Sequence, residues 1–128
     1  MSFWQGRSKR KTTSARLKKR RKKKKYEMGR ATTETVIGEP KKRFDRVRGA
    51  STKIRLKKID EANVTDLDTG VTKKTKIIRV IENPANVEYT RRRVITKGAK
   101  IETELGIARV TSKLNQVGIV NAVLINEQ

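Results

Sequence analysis

Gly118-Ile119-Val120-Asn121-Ala122-Val123-Leu124-Ile125 is the most apolar stretch of the chain. Strand alternation places Ile119, Val123 and Ile125 on one face and Val120 and Leu124 on the other. A strand that is apolar on both sides belongs at the centre of a structure. The same period of two recurs upstream. Ile54 and Leu56 alternate with Lys53, Arg55 and Lys57, which describes a half-buried strand with a wet face. Residues 75–81 set Ile78 and Val80 against Ile77, Arg79 and Ile81, and residues 93–96, 100–104 and 107–111 read as further short strands. Turn-forming clusters separate them, Asp66-Leu67-Asp68-Thr69-Gly70 and Asn83-Pro84-Ala85-Asn86, with Gly98, Gly106 and Gly118 as permissive backbone. About six short antiparallel strands, with no helical stretch and no internal repeat, predict an all-β fold. Closure into a small barrel is expected because it removes the exposed edges of so short a sheet.

The alternation begins only near Val47, so the barrel body is assigned to residues 46–128. Residues 1–45 have neither period, and Phe3, Trp4, Leu17, Tyr26 and Met28 lie too far apart to build a face. The charge is divided in the same way. Residues 1–58 hold 23 Lys and Arg against 4 Asp and Glu, a net of +19, while residues 59–128 hold 11 against 9, a net of +2, together giving +21. A long, basic, irregular N-terminal arm thus precedes a nearly neutral body. Low hydrophobicity with high net charge predicts that the arm is disordered when free. Neutralised by phosphates, residues 14–25 have the propensity to form a helix. The body is small; a domain of this size buries only roughly 60% of its unfolded surface.

Absences exclude several chemistries. The chain has no Cys and no His, hence no disulfide, no thiol nucleophile, no imidazole base and no cysteine or histidine metal ligand. Met1-Ser2-Phe3-Trp4-Gln5-Gly6-Arg7 offers no apolar run for a signal peptide, and nowhere do 18 apolar residues follow one another. The expectation is a soluble intracellular protein in which the sequon Asn63-Val64-Thr65 is accidental. Asp68-Thr69-Gly70 matches the catalytic triplet of aspartic proteases, but that chemistry needs two carboxylates sharing a proton in a buried site. Here the triplet lies in a polar stretch followed by Lys73 and Lys74, and reads as a solvated hairpin. Asp66 and Asp68 lack the further carboxylates of a calcium loop. No catalytic residue, metal, cofactor or small-molecule substrate is expected.

What remains is binding to a polyanion. Lys18, Lys19, Arg20, Arg21, Lys22, Lys23, Lys24 and Lys25 form an unbroken basic run. Such a run cannot be buried and repels itself, so it needs an anionic partner, and regularly spaced phosphates answer that need. Arg7, Lys9, Arg10, Lys11, Arg16 and Arg30 extend it, and Trp4 and Tyr26 bracket it with rings that either stack on unpaired bases or tack the arm onto the barrel. Phe3 can assist. Gly6 and Gly29 either allow close approach of backbone to phosphate or loosen the arm. A second cluster, Arg91, Arg92 and Arg93, follows the Asn83–Asn86 turn at the mouth of an expected strand. Alternation there would send Arg91 and Arg93 one way and Arg92 the other. Lys53, Arg55 and Lys57 either extend that surface or are simply solvated.

The residues that follow the basic run point to a family. Lys25-Tyr26-Glu27-Met28-Gly29-Arg30 is joined by Trp4-Gln5-Gly6-Arg7-Ser8, Glu82-Asn83-Pro84-Ala85-Asn86 and Ile95-Thr96-Lys97-Gly98-Ala99. Ile101-Glu102-Thr103, Ala108-Arg109-Val110-Thr111-Ser112 and Val120-Asn121-Ala122-Val123-Leu124-Ile125 complete the series. In this order they resemble the small-subunit ribosomal protein family eight-e, in its shorter archaeal form. The chain departs from it at Thr13-Ser14-Ala15, where Thr-Gly-Gly is usual, and at Arg30-Ala31, where Arg-Pro is usual. The resemblance implies a small β-barrel with an arm in 16S-type ribosomal RNA, neighbouring ribosomal proteins as partners, a cytoplasmic location within the ribosome, and no enzyme activity. A ribosome-assembly factor of the same family and a general polyanion or acidic-membrane binder remain as alternatives.

Overall fold

The structure, a computed structural model, describes residues 3–18 and 20–125. It comprises two units, Met1–Thr32 and Thr33–Gln128.

In the first unit, strands β1 (Phe3–Trp4) and β2 (Met28–Gly29) pair antiparallel, Phe3 opposite Gly29 and Trp4 opposite Met28. Between them the chain doubles back on itself. Leu17 N donates to Lys9 O at 2.8 Å and Lys11 N to Ala15 O at 2.8 Å, with an isolated bridge between Arg10 and Arg16. The reversal is made at Ser14, whose φ of 64° lies in the left-handed region. This is the place where a glycine would cost nothing, and Ser14 adopts the conformation regardless. No helix forms over the described residues of 14–24; a single 3-10 turn, Lys25–Glu27, leads into β2. Of the described residues in this unit only Gly29 is buried, so the unit has hydrogen bonds but no core.

The second unit is all-β with two short helices. Its strands are β3 (Thr35–Ile37), β4 (Lys41–Arg46), β5 (Thr52–Ile59), β6 (Glu61–Thr65), β7 (Thr72–Glu82), β8 (Val94–Ile95), β9 (Lys100–Thr103), β10 (Gly106–Val110) and β11 (Asn121–Leu124). Helix α1 (Val87–Arg91) lies between β7 and β8, and α2 (Leu114–Val117) between β10 and β11. Strands β6, β7, β9, β10 and β11 close into a barrel, and β4, β5, β3 and β8 form a second sheet in that order. The barrel is a meander of antiparallel neighbours whose closing pair, β6 with β11, is parallel: Asn63 faces Asn121 and Thr65 faces Val123. That parallel seam differs from the purely antiparallel barrel expected, because alternation reports which face is buried and not which strand is the neighbour.

A five-stranded barrel has a narrow interior, and the residues alternate in size to fill it. Val110, Ala122 and Val64 line up across three adjacent strands, and Ala108 sits opposite Leu124. Ala108, Ala122, Ala62, Val64, Val110 and Ile101 are all at most 2% exposed. Leu56 and Ile59 of β5 and Ile95 of β8 join the same cluster, so the second sheet closes one side of the barrel core. In β7 the inward residues are Thr75, Ile77 and Val80, while Ile78 and Ile81 are exposed. The simple alternation expected over 75–81 is therefore corrected. Register shifts between Ile77 and Arg79 and between Val80 and Glu82 each move the inward set by one residue.

The first unit ends at Thr32, before β3. Thr35 is buried because its hydroxyl donates to Leu56 O at 2.9 Å, and β4 is an edge strand paired only with β5. Neither has the alternating apolar residues that mark a strand in sequence.

Candidate nucleic-acid interface

Residues 1–32 contain 14 Lys and Arg and one acid, Glu27. That carboxylate organises the basic run. Arg21 forks onto it, Nη2 to Oε1 at 2.7 Å and Nη1 to Oε2 at 2.8 Å, and the Lys24 backbone N–H donates to Oε2 at 3.0 Å. The Glu27 amide returns a bond to Lys24 O at 3.0 Å, and its carbonyl accepts from Gln5 N at 2.9 Å. The guanidinium of Arg21 and the amide of Lys24 hold the Glu27 carboxyl far below the usual carboxylate range, at about 2, and the same pairing raises Arg21. The segment from Arg21 to Glu27 is thus a closed loop, stapled to the β1 end of the chain, in which Lys22, Lys24 and Lys25 are exposed and Lys23 is half-buried.

Around this loop a cleft of about 700 Å³ is lined by Trp4, Arg7, Ser8, Lys9, Lys11, Arg16, Leu17, Lys18, Arg20, Arg21, Lys22, Lys23 and Glu27. The structure thus brings ten of the expected binding residues to one concavity. Arg10, Lys24, Lys25, Tyr26 and Arg30 lie outside its lining, and Lys19 is outside the described residues. Arg10 turns inward instead, donating from Nη1 to Ser14 O at 2.7 Å across the turn. Trp4 is half-buried; its Nε1 donates to Arg7 O at 2.6 Å, and its ring lies over Gly6. A methyl group added at Gly6 would come within 2.5 Å of the indole, and one at Gly29 within 2.5 Å of the Gln5 side chain. Gly6 and Gly29 therefore make room for Trp4 and Gln5. Tyr26, by contrast, is 63% exposed.

Arg91, Arg92 and Arg93 do not lie in a strand, which corrects the alternation expected of them. Asn86 caps α1 by accepting from Glu88 N at 3.0 Å, so Arg91 ends a helix and Arg92 follows as its C-cap. Arg93 has a φ of 54° and breaks the helix. Arg91 Nη1 meets Glu88 Oε1 at 3.1 Å and Arg92 forks onto the Glu34 carboxylate. Arg93 has no side-chain partner among the described residues and is exposed. The platform beneath them is Asn83, 3% exposed and fully used: its Nδ2 donates to Val94 O at 2.9 Å, while its Oδ1 accepts from Ala85 N at 3.1 Å and Thr96 Oγ1 at 2.8 Å. Its turn-forming role was legible in sequence, but its place as a hub was not, because Val94 and Thr96 are distant in the chain.

On β5, Lys53 and Lys57 are exposed, whereas Arg55 turns to Asp45, Nε to Oδ2 at 2.7 Å. Arg43 of β4 meets the other carboxylate oxygen at 3.0 Å. Asp66 fixes the loop between β6 and β7: its Oδ1 accepts from Asp68 N at 3.1 Å and its Oδ2 from Thr69 Oγ1 at 2.9 Å. Asp68-Thr69-Gly70 is an exposed turn. Among the described residues no group of acidic side chains is placed to hold a metal ion, and no helix is long and apolar enough to cross a membrane.

The family model described as ribosomal protein S8e matches residues 4–125. The small ribosomal subunit protein eS8 of Methanococcus vannielii is 52% identical over 128 residues, 99% of this chain and 100% of that protein. The proteins of the same name from Methanococcus maripaludis and Sulfolobus acidocaldarius are each 49% identical with the same coverage.

Proposed function

The chain belongs to the ribosomal protein S8e family, and from that membership we propose that it binds and stabilises 16S-type ribosomal RNA within the small subunit. The family is a structural component of the ribosome and not an enzyme. The observation that supports RNA as the ligand is the first unit itself: 14 cations, one carboxylate already engaged by Arg21, and almost nothing buried. Outside the Arg21–Glu27 loop, self-repulsion keeps such a unit mobile in the free protein, and phosphates supply the counter-charge that orders it. Ordering residues costs conformational entropy, which counterion release offsets. The basic residues from Arg7 to Arg30 contact the backbone, Trp4 and Tyr26 offer rings to unpaired bases, and Arg93 with its neighbours binds from the body. Recognition is of RNA shape, with stacking as its source of base preference. Neighbouring ribosomal proteins complete the environment, in the cytoplasm.

Binding of the full chain to small-subunit rRNA across a salt series tests this. Six phosphate contacts give a slope of log K against log salt of roughly −4 to −5. At about 0.3 M salt, folded rRNA should be retained in preference to generic duplex and to acidic liposomes. Retention on liposomes alone overturns the reading, and sedimentation with precursor particles but never with mature subunits would replace it by a role in assembly.

A further inference from the structure

The β4–β5 hairpin carries a binding surface that the arm does not account for. Residues 41–58 hold nine Lys and Arg and one acid, Asp45. Asp45 is 6% exposed and gripped by Arg43 and Arg55, so its charge is cancelled inside the hairpin. The other seven cations are exposed. Among them stands a large ring, Phe44, which is 66% exposed on an edge strand. An aromatic side chain in that position gives up burial that the core would reward, and it gives the hairpin an adhesive edge.

The pairing register shows what the ring is placed with. Phe44 faces Ile54 across the ladder, and Lys42 and Arg46, two residues to either side, share its face. Ile54 is covered on that same face by Gly118, whose φ is 76° and whose backbone lies so close that an added methyl would sit 2.5 Å from Ile54 Cγ2. Phe44 is left as the outermost part of a rigid shelf. Two residues of a strand rise about 6.7 Å, a span that sets one cation on each side of a base stacked on the ring. A protein partner for this shelf would need to bring an acidic rim, whereas RNA already combines a flat apolar base with flanking anions.

We propose that the β4–β5 hairpin is a second RNA-binding element, in which an unpaired base of small-subunit rRNA stacks on Phe44 while Lys42 and Arg46 take its flanking phosphates. The inference rests on rRNA being the ligand, as argued above, but on different residues. Because the hairpin is held by its ladder and by Asp45, it meets RNA already formed. The first unit, lacking a core, is ordered by RNA.

The test uses the full chain and small-subunit rRNA in a salt series, with Phe44→Ala, Phe44→Leu, Phe44→Tyr and the pair Lys42→Ala/Arg46→Ala. Phe44→Ala should weaken binding about 5- to 150-fold with the salt slope unchanged, the range expected for one stacked base. Phe44→Leu should be as weak as Phe44→Ala, and Phe44→Tyr should bind like the parent. The double variant should flatten the slope by roughly 1.4–1.8. Ultraviolet cross-linking should join the peptide containing Phe44 to RNA. Unchanged binding by Phe44→Ala overturns the proposal. So does full binding by Phe44→Leu, which would show that no base stacks on an aromatic ring there. If Arg20→Ala/Arg21→Ala weakens binding while every Phe44 variant is silent, the hairpin site falls and rRNA remains the ligand. If the parent shows no preference for rRNA, both readings fall. Since Phe44 is largely exposed, an unchanged melting temperature in all variants excludes misfolding as the cause.

Discussion

Arg21 and Glu27 form a two-pronged ion pair six residues apart, and the second carboxylate oxygen also receives the backbone of Lys24. Among 14 cations in residues 1–32, a single negative charge sets the shape of the loop that carries the densest part of the run. Bulk charge and local geometry therefore make opposite predictions. Glu27→Gln raises the formal net charge from +21 to +22. On charge alone it should tighten rRNA binding; because it opens the loop, we expect it to weaken binding instead. Measured affinities of the two proteins at one salt concentration decide between these.

The pair also fixes a pH window. Glu27 has its carboxyl depressed to about 2, against an ordinary value of about 4.3. A depressed carboxylate stabilises the ordered form fully above the ordinary value, and loses that contribution as pH falls through the lowered one. The loop is thus indifferent to pH near neutrality and opens only in strong acid. A carboxyl NMR titration should show Glu27 with a midpoint near 2, and one near 4.3 would mean that the pair is open in the free chain.

Hydrogen exchange separates the two units. Amides of β6, β7, β9, β10 and β11 should be protected in the free protein, since they belong to the closed barrel around the core. Outside the Arg21–Glu27 loop, amides in residues 3–32 should exchange quickly in the free protein and slow on adding rRNA. Protection of this unit without RNA would contradict its ordering by phosphates.

Asn83 should be the most sensitive polar residue. Asn83→Ala strips partners from the buried Val94 carbonyl, the Ala85 amide and the Thr96 hydroxyl together. Each such group left buried and unpaired costs about 1–3 kcal/mol. Urea unfolding should show a loss of this order or more, and loosening of α1 should accompany it as lower affinity for rRNA.

The barrel interior has little tolerance in either direction. Ile101 is fully buried, and Ile101→Ala should cost about 2–5 kcal/mol. Ala122 lies between Val64 and Val110, and Ala122→Leu should cost about 1–3 kcal/mol through overpacking. Denaturant midpoints check both, and a neutral Ala122→Leu would mean that the alternation of small and large residues is incidental.

The chain's alternation told where the core lies better than how the strands pair. The strand β11 could be read from its residues because Val120, Ala122 and Leu124 do point inward. Ile119, counted on the opposite face, is 44% exposed. Strand β7 misled because bulges change its parity, and a bulge has no sequence mark when isoleucines occupy both faces. Strand β4 was missed because its one aromatic residue faces outward. At the interface, the cations could be counted but not their partners. Glu34 and Arg92 are 58 positions apart, and nothing along the chain marks them as a pair. The backbone at Ser14 shows the reverse limit: no glycine marks the position, yet the turn there is left-handed.

The parallel seam between β6 and β11 has a temporal meaning. Its Asn63 and Asn121 are separated by 58 positions, so the barrel cannot close until nearly the whole chain has been made. At about 5–20 residues per second, the interval between residues 58 and 124 lasts roughly 3–13 s. Throughout that interval a nascent segment with a net charge of +19 is already complete. It emerges beside the RNA of the ribosome that is translating it. On the proposed reading, each newly made chain meets an RNA surface like its own destination before its barrel can close.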